Sequence, residues 1–221
     1  MEYQKIANVQ QSYDRVADEY VERIYDELQH KPIDRQLLEQ FALRVHGLGP
    51  VCDLGCGPGH VARYLYERGV PVQGVDLSPA MIAHARQLNP GIDFTQGNLL
   101  ALDVGDAVWG GIVAFYSLIH VPRLDLSTAL WELKRVLRPG GVLLLAFHCG
   151  DETIHLDEWW GQPVSLDTFF FRADEMQGYV QAAGFAIEEV IERPPYPQVE
   201  YPSHRMYMFA RRVACPGSCI L

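Results

Sequence analysis

Apolar side chains recur along this chain with two different periods. Over 11–28 they fall at Tyr13, Val16, Ala17, Tyr20, Ile24 and Leu28, one face of a helix. A second helix is predicted after Pro32, on Ile33, Leu37, Leu38 and Phe41. From residue 51 short apolar runs alternate with helical stretches. "PVCDL", "VPVQGVD", "IDFTQG", "GGIVAFYS" and "VLLLAFH" read as strands. "HVARYLYERG", "SPAMIAHARQLN" and "LDLSTALWELKRVL" read as helices, the second with Ser78 as its cap and Pro79 in its first turn. Strands without polar alternation are buried on both faces, as in parallel sheets. The repeated strand–helix unit implies an α/β fold with a doubly wound sheet.

After residue 150 the rhythm changes. "CGDETIHLDEWWGQPV" reads as a long loop or lid, and "LDTFFFR" as a short strand. A helix over 173–183 follows, then strands "FAIEEVIER" and "HRMYMFARR", separated by the proline-rich "PPYPQVEYP".

Composition narrows the classes of function. The 221 residues suit one domain, and the 48% apolar content provides a full core. No apolar run approaches the roughly 20 residues of a membrane helix. The opening "MEYQKIANVQQSYDRVADEY" has neither the basic flank nor the apolar centre of a signal peptide, so the expected location is cytoplasmic. A net charge of −10 argues against nucleic acid as a partner. Cys52, Cys56, Cys149, Cys215 and Cys219 make an odd set in such a chain, so no disulfide framework is expected.

The candidate chemistry starts at "VCDLGCGPGH", where Gly55, Gly57 and Gly59 follow a strand. In a doubly wound sheet, ligands sit beyond the carboxyl ends of the strands, where bare main chain lets them approach. The helix start beyond the loop adds unpaired N–H groups. A dinucleotide fingerprint needs a glycine where His60 stands, so a nicotinamide-dependent oxidoreductase is the weaker reading. Asp53 precedes the loop. Asp76 ends the next strand about twenty residues on, where an acidic side chain takes both hydroxyls of a ribose. The histidines His120, His148 and His155 lack a metal-binding spacing such as His-Glu-x-x-His, so no metal is expected.

Four segments in order, "VCDLGCGPG", "GVDLSPAMI", "GNLLAL" and "LKRVLRPGGVLLLAFH", resemble class I S-adenosylmethionine-dependent methyltransferases over nearly the whole chain. The resemblance implies a Rossmann-like doubly wound seven-stranded sheet, mostly parallel with an antiparallel last strand. It implies one domain: a helical lid over 1–45, a cofactor-binding core over 46–150, an acceptor loop over 151–172, the rest of the sheet over 173–213 and a tail over 214–221. The implied cofactor is S-adenosyl-L-methionine, with S-adenosyl-L-homocysteine as product. Asp53, Gly55, Cys56 and Gly57 would hold its methionine part, Asp76 its ribose, and Leu77 and Met81 its adenine. Asn98 and Leu99 would contact the adenine amino group and ring; asparagine departs from the acidic residue usual there, though its carbonyl can accept the same bond. Tyr116 and Ser117 would line the sulfonium pocket. Tyr13 and Tyr20 would reach the cofactor carboxylate from the lid.

The implied reaction is in-line methyl transfer to an oxygen or nitrogen of a small-molecule acceptor, by a monomer or homodimer. A non-catalytic cofactor-binding protein is the alternative. His120 and His148 are the candidate catalytic residues, and His155, Trp159, Trp160 and Phe170 the candidate acceptor contacts. Glu200, Tyr201 and Arg205 are candidates for the pocket rim.

Overall fold

The computed structural model of the protein describes residues 3–214. Most of the tail, with Cys215 and Cys219, lies outside the described residues. Helix α1 (Tyr3–Ile24) begins earlier than the pattern over 11–28 suggests, because Ile6 and Val9 continue the same apolar face upstream of Tyr13. A short 3₁₀ turn (Glu27–His30) leads into α2 (Pro32–Val45).

The core then alternates strand and helix: β1 (Val51–Leu54), α3 (His60–Tyr66), β2 (Val72–Asp76), α4 (Pro79–Leu88), β3 (Asp93–Gln96), β4 (Trp109–Phe115), α5 (Arg123–Val136) and β5 (Leu137–His148). Every residue of β1 is buried, as are most of β4 and β5, which is why their sequences carry no polar alternation. Ser78 caps α4 by accepting from Met81 N at 3.1 Å, with Pro79 at its first position.

The segment expected to be a loop is instead a hairpin of β6 (Thr153–Trp159) and β7 (Gln162–Phe169). Its two-residue turn is Trp160–Gly161, with φ of 52° and 79°. Positive φ at both positions suits the right-handed twist of a hairpin, but tryptophan is a poor advertisement for such a turn. α6 (Ala173–Ala182), β8 (Phe185–Arg193) and β9 (Arg205–Arg212) complete the chain near the expected positions.

The main sheet has seven strands in the order β3-β2-β1-β4-β5-β9-β8. β9 enters between β5 and β8, antiparallel to both, and the other pairings are parallel. The strand order reverses at β1, so β1 and β4 part at their carboxyl ends and leave a crevice. α1 and the β6–β7 hairpin lie over that crevice.

Candidate functional site

A cavity of about 650 Å³ opens at this crevice. The glycine loop after β1 forms one wall. Gly55 has φ of 74°, and a Cβ there would stand 2.3 Å from Ser117 Cβ, so the position requires glycine on both counts. Gly57 donates its N–H to Asp76 Oδ2 at 2.8 Å, and Ser78 N donates to Asp76 Oδ1 at 2.8 Å. Asp76 is thereby fixed at the carboxyl end of β2, facing the loop. Burial pushes its carboxyl above the usual range, against the pull of those N–H groups.

Asp53 lies deeper, 1% exposed, and accepts from Ala62 N at 2.9 Å. Burial raises it to about 7, with His60 opposing. Asn98 Oδ1 accepts from Leu100 N at 3.0 Å, which shapes the turn after β3 and leaves the asparagine beside the cavity. Tyr116, just past β4, holds φ of 56°, an uncommon conformation for a residue with a side chain. Ser117 Oγ beside it is buried without a partner among the described residues.

The roof is aromatic. Tyr13 and Tyr20 from α1 meet Trp159 edge-on at 5.6 and 5.9 Å, and Trp159 stacks on Trp160 at 4.6 Å. Such contacts add to plain area burial. His120 Nδ1 lies 2.8 Å from the Asp167 carbonyl, which can only accept, so that nitrogen carries the proton. His120 Nε2, 2.7 Å from the Tyr13 hydroxyl, then accepts from it. Burial lowers His120 to about 4 and holds Tyr13 well above its ordinary value. His148 stacks on Phe170 at 5.0 Å, and burial followed by the Arg205 charge lowers it to about 3.

Residues 51–141 match a family described as a methyltransferase domain. The malonyl-[acyl-carrier protein] O-methyltransferase of Enterobacter lignolyticus (strain SCF1) is 32% identical over 150 residues, 67% of this chain and 57% of that protein. The trans-aconitate 2-methyltransferase of Azoarcus sp. (strain BH72) is 35% identical over 137 residues, 61% of this chain and 48% of that protein. The structure of a DhpI–SAH complex shares the fold, with a TM-score of 0.73 at 22% identity over 96% of this chain and 99% of that one. The chain belongs to the class I S-adenosylmethionine-dependent methyltransferases. It spans about half the length of the two sequence relatives: 57% and 48%.

S-adenosylmethionine is the cofactor of this methyltransferase family, and the residues present fit it. Gly55 and Gly57 leave the backbone of the loop bare, the Asp76 carboxylate stands beside it, and the buried Ser117 hydroxyl has no partner among the described residues. Tyr13, Tyr20, Asp53, Gly55, Cys56, Gly57, Asp76, Leu77, Asn98, Leu99, Tyr116 and Ser117 all line the cavity.

Met81 does not line it: it is 1% exposed, packed behind the wall, with its backbone N–H committed to Ser78. Of the candidate acceptor contacts, Trp159, Trp160 and Phe170 line the cavity and His155 does not. His155 sits on the outer face of β6, with Asp167 Oδ1 at 2.7 Å and Asp157 Oδ1 at 3.2 Å from its ring nitrogens. Its neighbours Ile154 and Leu156 point inward, as strand alternation demands. The same alternation separates Phe170, on the cavity, from the fully buried Phe171. Lys31, Glu27 and His60 also line the cavity. Sequence reasoning missed them, for Lys31 reads only as the residue before a helix-starting proline.

Proposed function

We propose that this methyltransferase transfers a methyl group from S-adenosylmethionine to an oxygen or nitrogen of a small-molecule acceptor held under α1 and the hairpin. The observation that carries the reading is the continuity of the cavity. The cofactor wall of Gly55–Gly57, Asp76 and Ser117 runs into an aromatic chamber of Tyr116, His148, Trp159 and Phe170. When bound, S-adenosylmethionine supplies an electrophilic methyl group on a sulfonium.

The protein's part is binding, orientation and exclusion of water. Asp76 takes the ribose hydroxyls. Asp53 and the glycine loop hold the amino-acid portion, and Leu77 and Leu99 flank the adenine. Tyr13, Tyr20, Trp159 and Trp160 close the roof. His120 holds the Tyr13 hydroxyl in place, so any proton that reaches its Nε2 must pass through Tyr13. The two sequence relatives are named as an O-methyltransferase of malonyl-[acyl-carrier protein] and as a trans-aconitate methyltransferase, which supports oxygen as the acceptor atom. The acidic net charge supports a small molecule over nucleic acid.

The test is incubation of the purified chain with methyl-labelled S-adenosylmethionine and a panel of small acids, phenols and amines. Label is expected in one of these classes, with S-adenosylhomocysteine formed in equal amount. Tight cofactor binding without transfer to any class would leave a binding protein instead.

A further inference from the structure

Helix α1 and the β6–β7 hairpin both turn an uncharged face to the cavity. On α1, Ile6, Val9 and Tyr13 line it at helical spacing. On the hairpin, Leu156 pairs with Leu166 and Ile154 with Thr168 across the two strands, and all four line the cavity. They share one face of the hairpin, as strand alternation requires. Asp157, Glu158 and Asp167 do not line it. Among the described residues of these three elements, no charged side chain does.

This apolar wall is accessible. Ile6, Val9, Ile154 and Leu156 are only half-buried. A neighbouring stripe of α1 keeps the helix from sinking onto them. Asn8 Nδ2 donates to Ser165 Oγ at 3.2 Å, Ser12 Oγ accepts from Ser165 N at 3.0 Å, and Arg15 Nη1 donates to Pro163 O at 3.0 Å. These polar contacts fasten α1 to β7 and leave the Ile6–Val9–Tyr13 stripe facing the cavity. Apolar surface held open in this way gains free energy in proportion to the area a ligand covers.

The direction of the wall follows from α1. Tyr20 stands over the glycine loop, with its Cε1 3.7 Å from where a Cβ on Gly57 would be. From Tyr13 back to Ile6 the helix advances ~10 Å further from that loop. The charged groups of the cavity stand on other elements. Asp53 and Asp76 lie at the ends of β1 and β2, and Lys31 Nζ is paired with Glu27 at 2.7 Å and with Glu200 at 3.2 Å.

We propose that this stretch seats an extended, uncharged aliphatic chain of the methyl acceptor, laid between α1 and the inner face of the hairpin, with the nucleophilic end toward the Ser117 wall. The proposal rests on the methyl-acceptor reading of the same cavity and names the class of acceptor. A chain with a charged far end would lose its hydration against Ile6, Val9 and Ile154 and gain no ion partner from them. A compact polar acceptor would leave the wall uncovered. An aliphatic chain is touched on two sides along its length, and that contact offsets the rotamer freedom it loses.

The test is calorimetric titration of the full chain, saturated with S-adenosylhomocysteine, with butanol, hexanol and octanol, and with an aminooctanol that carries an ammonium at its far end. Each step of the alcohol series is expected to tighten binding about tenfold. The aminooctanol should bind about tenfold or more weakly than octanol. Ile6→Trp, which fills the far end, should bring octanol down to the level of hexanol and leave butanol and S-adenosylhomocysteine unchanged. Leu156→Asp should weaken octanol about tenfold or more. Should Leu156→Asp fail to fold, Ile6→Trp and the two octyl probes on the parent protein decide. The proposal is overturned by affinity that does not rise along the series, by equal binding of octanol and aminooctanol, by an undiminished octanol affinity in Ile6→Trp, or by no alcohol binding to the loaded protein. Each of these outcomes leaves the cofactor reading in place. Failure of S-adenosylhomocysteine itself to bind, seen before any alcohol is added, overturns that reading and this proposal with it.

Discussion

Asp76 anchors two backbone N–H groups, of Gly57 and Ser78, while its carboxylate still faces the cavity. Truncation removes both anchors and, in the proposed binding mode, the sugar contact with them. Asp76→Ala should weaken S-adenosylhomocysteine binding by about 1–3 kcal/mol, read by calorimetry, with Asp76→Asn losing less. Asp53 makes a different prediction, because burial raises its folded-state pKa from 3.8 to about 7. An acid raised on folding contributes stability that is present below its unfolded value and is lost as pH climbs through the folded one. Asp53→Asn keeps an oxygen for the Ala62 N–H and never acquires the charge. Without ligand, the variant should match the parent in thermal melts at about pH 4 and exceed it by on the order of 2 kcal/mol at about pH 8. Both aspartates are legible from the sequence, since strand-end carboxylates beside a glycine loop carry their position in their spacing. Arg205 and Lys31 are not: their neighbours in space are residues distant in sequence, and local pattern records no such convergence.

Helix α1 acts as a strap across the cavity, fastened on both sides. Toward the hairpin, Ser12 Oγ accepts from Ser165 N at 3.0 Å and Arg15 donates to Pro163 O at 3.0 Å. Toward α4, Asp14 Oδ1 accepts from Ser78 Oγ at 2.5 Å and from Ala80 N at 3.2 Å, so it caps a helix to which it does not belong. Asp14→Ala frees that end of the strap. It should cost about 1 kcal/mol in stability and speed amide exchange in α1, with β4 and β5 unchanged. Unaltered exchange in α1 would show that the hairpin contacts and the Asp18–His84 pair, at 2.8 Å, hold it without Asp14. The buried strands and α3–α5 are legible because each keeps one period from end to end. The hairpin is harder to read because its inward Ile154 and Leu156 are interleaved with His155, Asp157 and Glu158, and its turn is Trp160–Gly161. The alternation is there, and following it would have put His155 on the outside.

At the scale of the whole molecule, burial sets the charge state of the chamber. His120 and His148 come from separate strand ends, and desolvation pushes them to about 4 and about 3, so both are neutral throughout the physiological range. For a base whose folded value is depressed, the neutral state favours the fold above the unfolded pKa, and that contribution is lost as pH falls toward the folded one. Acid should therefore loosen the chamber. Between about pH 6 and 8 neither ring changes charge, and the lone pair on His120 Nε2 is held by Tyr13. With an acceptor that is already ionised, kcat/KM should then be flat across about pH 6 to 8, its acid limb appearing only as the fold itself weakens. Replacing Tyr13 with phenylalanine releases the His120 lone pair, and loss of the hydroxyl partner should lower turnover without introducing a limb near about pH 6.5, because burial still holds the ring neutral. A limb centred there in the parent protein would show a histidine titrating at its ordinary value in the course of turnover, and the chamber would then be wetter and more open than its aromatic roof implies.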